Sequence, residues 1–352
     1  MKLTGLIFRL TMTFVLIAPL RLNAAQSDFA ALLGQARKED GKLSYGTDVD
    51  RKMMQPILDA FKKDFPFVKS IDYRLNRADE VRASLMELTA GGKTDLDLAT
   101  ISDEFLKQYL SMGWVRKPPI AYEQLVASLP SDWPKPKPVQ FHPQGFTLAA
   151  AGYLRGIAYN NKLIPNANAP KNWDDCVNPK WKGRVMYDPR LKLGGFMMYK
   201  KQWFAEWLKK LAANNVVLGR GQTANLEMIS TGEHLIFCGV NYRSTMEMID
   251  RGVTTLSFVL PNPYAYNLAL DGYILRDSPR PYSAELFSIW LGTKGLTLVE
   301  KYIYDGFTWL PGARLHEAAQ GKEGVVCDLK CSLMGAELSE EHNRLLGIPV
   351  AK

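Results

Sequence analysis

Polar and charged side chains stand directly after several predicted strands, at positions from which a sheet presents groups to a ligand. Thr47 and Asp48 follow a strand predicted at 42–46, and Ser102 follows an alternating run at 95–99. The later loops carry similar groups: Asp188, Arg190 and Lys192, then Asn241, Tyr242 and Arg243, and finally Tyr266. In doubly wound sheets, ligands bind outside the carboxyl ends of strands, where helix N-termini present free N–H groups. Any one of these residues could be a turn or helix cap, a role that suits Ser102, Asp48 and Asp188. As a set they predict a binding site.

Catalytic motifs are weak by comparison. Gly219 begins a loose match to the dinucleotide pattern G-x-G-x-x-A, but no acidic residue stands about 20 positions further on to hold a ribose. No G-x-S-x-G, H-E-x-x-H or P-loop motif occurs. The spacing of the cysteines and histidines gives no nucleophile and base pair. We therefore expect a binding protein, not an enzyme, with no cofactor.

The N-terminus has the pattern of a secretory signal peptide. Lys2 and Arg9 precede a mostly apolar run at 10–20, and the small residues Ala24 and Ala25 follow. A basic start, a short apolar core and a small-residue exit are typical of a cleaved signal, and the apolar run is too short for a membrane span. Residues 1–25 are therefore predicted to be a signal peptide, cleaved after Ala24 or Ala25, and the mature chain is expected to be exported and free.

The four cysteines are Cys176, Cys238, Cys327 and Cys331. Disulfides form in oxidising compartments, and four cysteines allow three pairings. The short C-D-L-K-C spacing favours a bridge between Cys327 and Cys331, and four free or buried thiols are the alternative. No histidine lies near that pair at a spacing usual for zinc.

Composition limits the class of protein. About 330 residues remain after the signal peptide, which is enough for two domains. Apolar residues make up 47% of the chain and charged residues 23%, as in ordinary globular proteins. The formal net charge is +8, but no dense Lys/Arg run is interleaved with aromatic residues, so we expect no nucleic-acid partner. The chain is expected to be a monomer.

Strand-like and helix-like segments alternate along the chain. Apolar residues recur at helical spacing between strands predicted at 42–46 and 67–75, namely Met54, Ile57, Leu58, Phe61 and Phe65. A second series has strands predicted at 153–160, 183–187, 234–240 and 253–260. This alternation predicts an α/β fold with mainly parallel sheets.

Five motifs follow one another in a familiar order across residues 40–312. They are KLSYGTDVD with ILDAFKKDFP, DLDLATISDEFLKQYLSMGWV, NWDDCVNPKWKGRVMYDP, ISTGEHLIFCGVNYRS and DGYILRDSPRPYSAELFSIWLGTKG. In these motifs the chain resembles the type 2 periplasmic solute-binding proteins of ABC transporters, extracellular solute-binding family 1, near the branch of ferric-ion-binding proteins.

The resemblance implies two doubly wound α/β lobes joined by two strand crossovers, with the ligand held between the lobes. We expect the crossovers at 153–160 and 255–260. Lobe 1 is expected to comprise 26–150 plus 261–300, and lobe 2 to comprise 151–260 plus 301–352. The implied function is the periplasmic receptor of an ABC-type uptake system, with a membrane permease as partner. A secreted enzyme on the same fold is the less favoured alternative.

The pair Tyr242 and Arg243 decides the expected ligand class. In the ferric-ion-binding relatives this loop carries two adjacent tyrosines that hold the metal. A guanidinium beside a trivalent cation is repulsive, whereas arginine binds carboxylate or phosphate through two parallel hydrogen bonds. With Arg190 and Lys192 nearby, we expect a small organic anion with Arg243 as its main charge partner. Ferric iron as the transported ligand, bound through Tyr242, is the alternative.

Overall fold

The computed structural model describes residues 20–191, 193–219 and 221–349. Residues 1–19 of the predicted signal peptide, and the predicted site residue Lys192, lie outside the described residues. Within these ranges no helix combines the length and the apolar character needed to cross a bilayer.

The strands form one connected series of ladders through the molecule. They are β1 (Lys42–Thr47), β2 (Ser70–Leu75), β3 (Leu98–Thr100), β4 (Ala149–Asn160), β5 (Val185–Tyr187), β6 (Val217–Leu218), β7 (Ile236–Asn241), β8 (Leu256–Val259), β9 (Tyr264–Ile274) and β10 (Gly324–Cys327). Their order is β2-β1-β3-β9-β4-β7-β5-β6, with β8 paired to β4 and β10 paired to β9.

The helices follow the strands in the alternation that the sequence predicts. They are α1 (Leu20–Ala36), α2 (Arg51–Asp64), α3 (Ala78–Thr89), α4 (Asp103–Ser111), α5 (Tyr122–Ser128), α6 (Gly194–Tyr199), α7 (Lys201–Ala213), α8 (Gln222–Thr231), α9 (Tyr242–Asp250), α10 (Pro281–Leu291), α11 (Leu296–Ile303), α12 (Arg314–Ala319), α13 (Leu329–Leu333) and α14 (Gly335–Leu345).

The first half of the molecule is built on β1, β2 and β3, which are parallel. Helix α2 buries four of the five residues with helical spacing, Met54, Ile57, Leu58 and Phe61, against this sheet. The fifth, Phe65, is buried directly after the last residue of the helix. The side chain of Asp50 caps α2 by accepting a hydrogen bond from the Lys52 backbone N–H at 2.9 Å. Helices α10 and α11 complete the same core.

The second half is built on β5, β6 and β7, which are also parallel. Its core contains Trp173, Phe196, Phe204 and Trp207, all buried. A disulfide between Cys176 and Cys238 ties the short helical turn Trp173–Val177 to β7. The two series of α/β units are therefore two packed bodies, as the α/β prediction requires.

Two long antiparallel strands, β4 and β9, join the halves. Strand β4 pairs with β7 in the second half and with β9 along most of its length. Strand β9 pairs with β4 and then with β3 in the first half. The first expected crossover is therefore confirmed as β4, but the second is β9 and not 255–260, because β8 pairs only with the distal end of β4. Since both joining strands belong to both halves, the exact lobe boundaries stay a prediction.

The C-terminal segment contacts both halves. Strand β10 lies parallel to β9, and a disulfide joins Cys327 to Cys331, the pair that the sequence spacing favours. Helix α14 packs on α6 and α7 of the second half and on α4 of the first. Gly335 approaches α4 so closely that a Cβ atom there would lie 2.4 Å from the Cβ of Asp103. Lys107 and Glu337 form an ion pair across the same contact.

Candidate functional site

The first half contributes the loops that follow β1 and β3. Thr47 is buried at the end of β1, and its hydroxyl lies 3.5 Å from a carboxylate oxygen of the half-exposed Asp48. Ser102 occupies the position before α4, but its hydroxyl makes no capping hydrogen bond. Asp48 does not cap α2 either, because Asp50 does so. Neither residue is therefore committed to the capping role that was its alternative interpretation.

The second half contributes the loop after β5, which is organised by Asp188. This buried carboxylate accepts hydrogen bonds from the Nε and Nη2 of Arg190, from the Arg190 backbone N–H and from the Gly221 backbone N–H. Burial raises the pKa of Asp188, but the hydrogen bonds from Arg190 and Gly221 outweigh it and hold the pKa below its usual value. Arg190 thus reaches the site with its charge already paired.

The loop after β7 separates its two most distinctive side chains. The ring of Tyr242 packs edge-on against Phe258, and burial raises the pKa of its phenol, with Arg314 opposing that rise. Arg243 points elsewhere: its Nη1 lies 2.9 Å from Asp305 and its Nη2 lies 3.3 Å from Asp48. Adjacent positions in the sequence therefore serve different neighbours in the structure.

Arg243 connects the two halves. It lies in the first turn of α9 in the second half, whereas Asp48 follows β1 in the first. Asp305, whose side chain is 1% exposed, lies beside the joining strand β4, because the neighbouring Gly306 exchanges backbone hydrogen bonds with Gly152. Burial raises the pKa of Asp305 to about 7, and the Arg243 guanidinium opposes this rise. We call the space bounded by the loops after β1, β3, β5 and β7, and by one face of β4 and β9, the cleft.

Four residues on the joining strands, which the sequence analysis missed, also contribute to the cleft: Tyr153, Arg155, Asp271 and Tyr273. Arg155 is 6% exposed and donates to the carbonyl oxygen of Gly239 and to the hydroxyl of Tyr153, both at 3.2 Å. Burial raises the pKa of Tyr153, Arg155 opposes the rise, and Asp103 and Asp48 add to it. The signal that could have revealed them is an arginine and an aspartate inside otherwise apolar strand sequences.

Several buried polar atoms around the cleft have no hydrogen-bond partner among the described residues. They are Tyr45 Oη, Thr100 Oγ1, Tyr273 Oη, Asn241 Oδ1, Asp305 Oδ1 and Arg155 Nε. Buried polar atoms are nearly always paired, so a cluster of unpaired ones is typical of a place where water or a ligand binds. Asn241, which ends β7, belongs to this group through its side-chain oxygen.

Tyr266 is not brought to the cleft with the other predicted residues. Its hydroxyl donates to the carbonyl oxygen of Gly306 at 2.6 Å, and its ring packs edge-on against Trp309. It lies next to Gly152, where a Cβ atom would meet the Tyr266 hydroxyl at 2.2 Å. The side chain therefore fills the core behind the joining strands.

A resident metal site is not evident. In the part of the chain that the structure describes, no group of three or more histidine, cysteine, aspartate or glutamate side chains is arranged to hold a metal ion. The described cavities of about 710 Å³ and 280 Å³ lie along α2 and beside Trp203, outside the cleft. In this conformation Arg243 and Asp48 are in contact across the cleft.

Solved structures with the same architecture are numerous. A substrate-binding protein of an ABC transporter from Agrobacterium tumefaciens aligns with a TM-score of 0.67 at 16% identity, over 87% of this chain and 94% of the other. Iron-bound HitA from Pseudomonas aeruginosa aligns with a TM-score of 0.66 at 15% identity, over 87% and 99%. A ferric binding protein from Campylobacter jejuni gives 0.67 at 14% identity, over 87% and 100%.

Sequence comparison adds no closer relative. No family model matches the chain, and no curated protein matches it in sequence. Identities of 14–16% leave the structural match as evidence of fold. The chain therefore has the type 2 periplasmic binding protein fold, the fold of ABC-transporter substrate-binding proteins and of ferric-ion-binding proteins.

Proposed function

We propose that the chain is the periplasmic substrate-binding component of an ABC-type uptake transporter, which holds a small solute in the cleft and delivers it to a membrane permease. One observation carries this proposal. Loops at the carboxyl ends of strands from two separate α/β halves meet face to face, and Arg243 reaches Asp48 across the boundary. Strands β4 and β9, which join the halves, lie behind these loops and provide a hinge.

Binding in such a cleft is coupled to closure of the halves. A solute that touches both halves has higher affinity for the closed form and shifts the population towards it. At a free concentration 100-fold above the dissociation constant, linkage adds about 2.7 kcal/mol to the free energy of unfolding. No covalent step is involved. Cys176 and Cys238 are joined to each other and so supply no thiol nucleophile.

For the solute, we propose a small organic anion, and the support comes from the joining strand. Arg190 and Arg243 are both paired with carboxylates, whereas the buried Arg155 donates only to neutral oxygens. A buried guanidinium without a counter-charge is costly, and a carboxylate or phosphate of the solute would supply that charge. Thr47, Asp48, Ser102 and Asn241 remain proposed contacts, and Arg243 is proposed to act at the cleft wall.

Ferric iron is the second candidate, because two of the compared structures are described as iron-bound or ferric binding proteins. Tyr242 is the proposed phenolate ligand in that case. Its ring would have to leave Phe258, against which it packs with a centroid distance of 5.2 Å. The organic anion requires no such rearrangement, since Arg155 already lies on the cleft face of β4.

Mass spectrometry of the protein purified gently from an exporting host tests the proposal. We expect a bound small molecule, which should restore thermal stability and reduce the radius of gyration when it is returned to stripped protein. A visible tyrosinate-to-iron absorption band would show that the solute is ferric iron and not an organic anion. The proposed receptor function would be unaffected. If concentrated host extract changes neither the melting temperature nor the scattering of the stripped protein, the receptor function is wrong.

A further inference from the structure

One face of the joining strands carries opposite charges at its two ends. Strands β4 and β9 pair in a constant register, with Ala149 opposite Asp271, Tyr153 opposite Asn267 and Arg155 opposite Ala265. Alternate residues of a strand share a face, and so do residues directly opposite each other in an antiparallel pair. Arg155, Tyr153 and Asp271 therefore lie on one face, with Tyr153 between the two charged residues.

The Arg155 end of this face lacks an anion. Arg155 Nη1 and Nη2 are occupied by a carbonyl oxygen and a phenol, and the buried Nε has no partner within the described ranges. Hydrogen bonds to neutral oxygens do not compensate a buried positive charge, and a carboxylate does. The nearby acid Asp305 is bound to Arg243 instead.

The Asp271 end lacks a cation. Asp271 is 6% exposed, and no described cationic side chain forms an ion pair with it. Its pKa is raised well above the usual value by burial, and Asp103 and Asp48 raise it further. Next to it, the fully buried hydroxyl of Tyr273 has no geometrically satisfactory partner in the described structure. The Tyr273 hydroxyl lies close enough to interact with the Asp271 carboxylate, and no described cation does so. Carboxylate and phenol oxygens are acceptors for the N–H groups of an ammonium ion.

We propose that the solute is an elongated zwitterion, whose anionic group binds Arg155 and whose ammonium group binds Asp271 and the hydroxyl of Tyr273, across the ring of Tyr153. This inference rests on the proposed receptor function and narrows its solute class. Six residue steps separate Arg155 from the position opposite Asp271, or roughly 20 Å along the strand. The guanidinium turns back as far as Tyr153, which shortens that span. Because Tyr153 still lies between the charges, the two groups of the solute must be several bonds apart, unlike those of an α-amino acid.

Matched probes test each charge separately. Calorimetry with stripped protein should show binding of ε-aminocaproate. Caproate and hexylamine, which lack one charge each, should bind at least 30-fold more weakly, since loss of one buried charge partner typically weakens affinity by about that factor or more. Glycine, whose charges are adjacent, should bind as weakly as these.

Variants assign the two ends. Asp271→Asn should weaken ε-aminocaproate by about 30-fold or more and leave caproate unchanged. Arg155→Met should weaken ε-aminocaproate and leave hexylamine unchanged. Should Arg155→Met fail to fold, Arg155→Lys keeps the charge and should retain partial affinity. Thermal unfolding of each variant separates lost binding from lost structure.

The outcomes separate this inference from the receptor function. Equal affinity for ε-aminocaproate and caproate would show that the ammonium group contributes nothing and that the solute is an anion, which would overturn the inference. So would selective binding of hexylamine, or of ferric ion with a tyrosinate band. If no probe binds but host extract still compacts the stripped protein, the zwitterion is wrong and the receptor stands. If neither extract nor probes bind, the receptor function itself is wrong.

Discussion

At the scale of single residues, Arg243 is distinguished by its buried partner Asp305, which would lose its counter-charge if Arg243 were replaced. Its partner Asp305 is almost completely buried, whereas its other partner, Asp48, is half-exposed. Breaking a buried pair from one side leaves an uncompensated charge, while an exposed pair contributes little. Arg243 is thus a structural residue of the cleft as well as a proposed contact.

Arg243→Met should lower the free energy of unfolding by up to about 3–5 kcal/mol, because it leaves Asp305 buried without its charge partner. Asp48→Ala should lower it by less than about 1 kcal/mol. Urea denaturation monitored by tryptophan fluorescence measures both. The double variant Arg243→Met with Asp305→Asn is the control and should recover most of the loss. A stable Arg243→Met single variant would show that the pair is not structural, and loss of solute binding could then be assigned to a direct contact.

Arg155 shows why part of the cleft could not be predicted from the sequence. The strand-to-helix loops were found because polar residues there follow apolar strands, and the structure brings Asp48, Asn241 and Arg243 to the cleft. Arg155 lies inside a strand, and a charged residue within a strand sequence usually predicts an edge strand or a solvent-exposed position. Its burial depends on β9 and β7 pairing on either side of β4, and local sequence does not record which strands are neighbours.

At the scale of elements, helices were easier to predict than the joining strands. The 3.6-residue period around α2 is a local property of the sequence, and all five of the periodic residues are buried in the structure. Strand β9 is buried on both faces and contains Asn267 and Asp271, so it has neither alternation nor a continuous apolar run. The segment 255–260 looked like a better strand, yet it forms only β8. Pairing over long sequence distances decides which segment joins the halves.

The two disulfides should differ in how much they stabilise the fold. Cys327 and Cys331 are 4 residues apart, and Cys176 and Cys238 are 62 apart. In the chain-entropy account, closing the short loop contributes about 2 kcal/mol and closing the long one about 4 kcal/mol. Cys176→Ala with Cys238→Ala should therefore lower the urea midpoint more than Cys327→Ala with Cys331→Ala.

Non-reducing peptide mapping of exported protein is the control for this comparison, and it should recover both cross-linked peptides. Free, alkylatable Cys327 and Cys331 would reject the short bridge. Equal losses of stability in the two double variants would contradict the dependence on loop length.

At the scale of the whole molecule, the contact of α14 with α4 is a third link between the halves. Gly335→Leu should push these helices apart, since even a Cβ there would meet Asp103 backbone atoms at 2.7 Å and 2.8 Å. We expect a larger radius of gyration in solution scattering and weaker solute binding. Gly34→Ala is the matched control, because a Cβ at that position meets nothing within 4 Å. An unchanged radius for Gly335→Leu would show that the C-terminal segment does not hold the halves together.

The position of β9 in the sheet also affects the order in which the chain can fold during synthesis. Strand β3 pairs on one side with β1 and on the other side with β9, which ends at Ile274. Until that residue has been made, the sheet of the first half keeps an open edge, although β1–β3 were all synthesised before residue 101. Unpaired strand edges are sites of aggregation, and chains are made at about 5–20 residues per second. The sheet formed by the N-terminal third of the chain thus stays incomplete until a strand encoded more than 160 residues later has been synthesised.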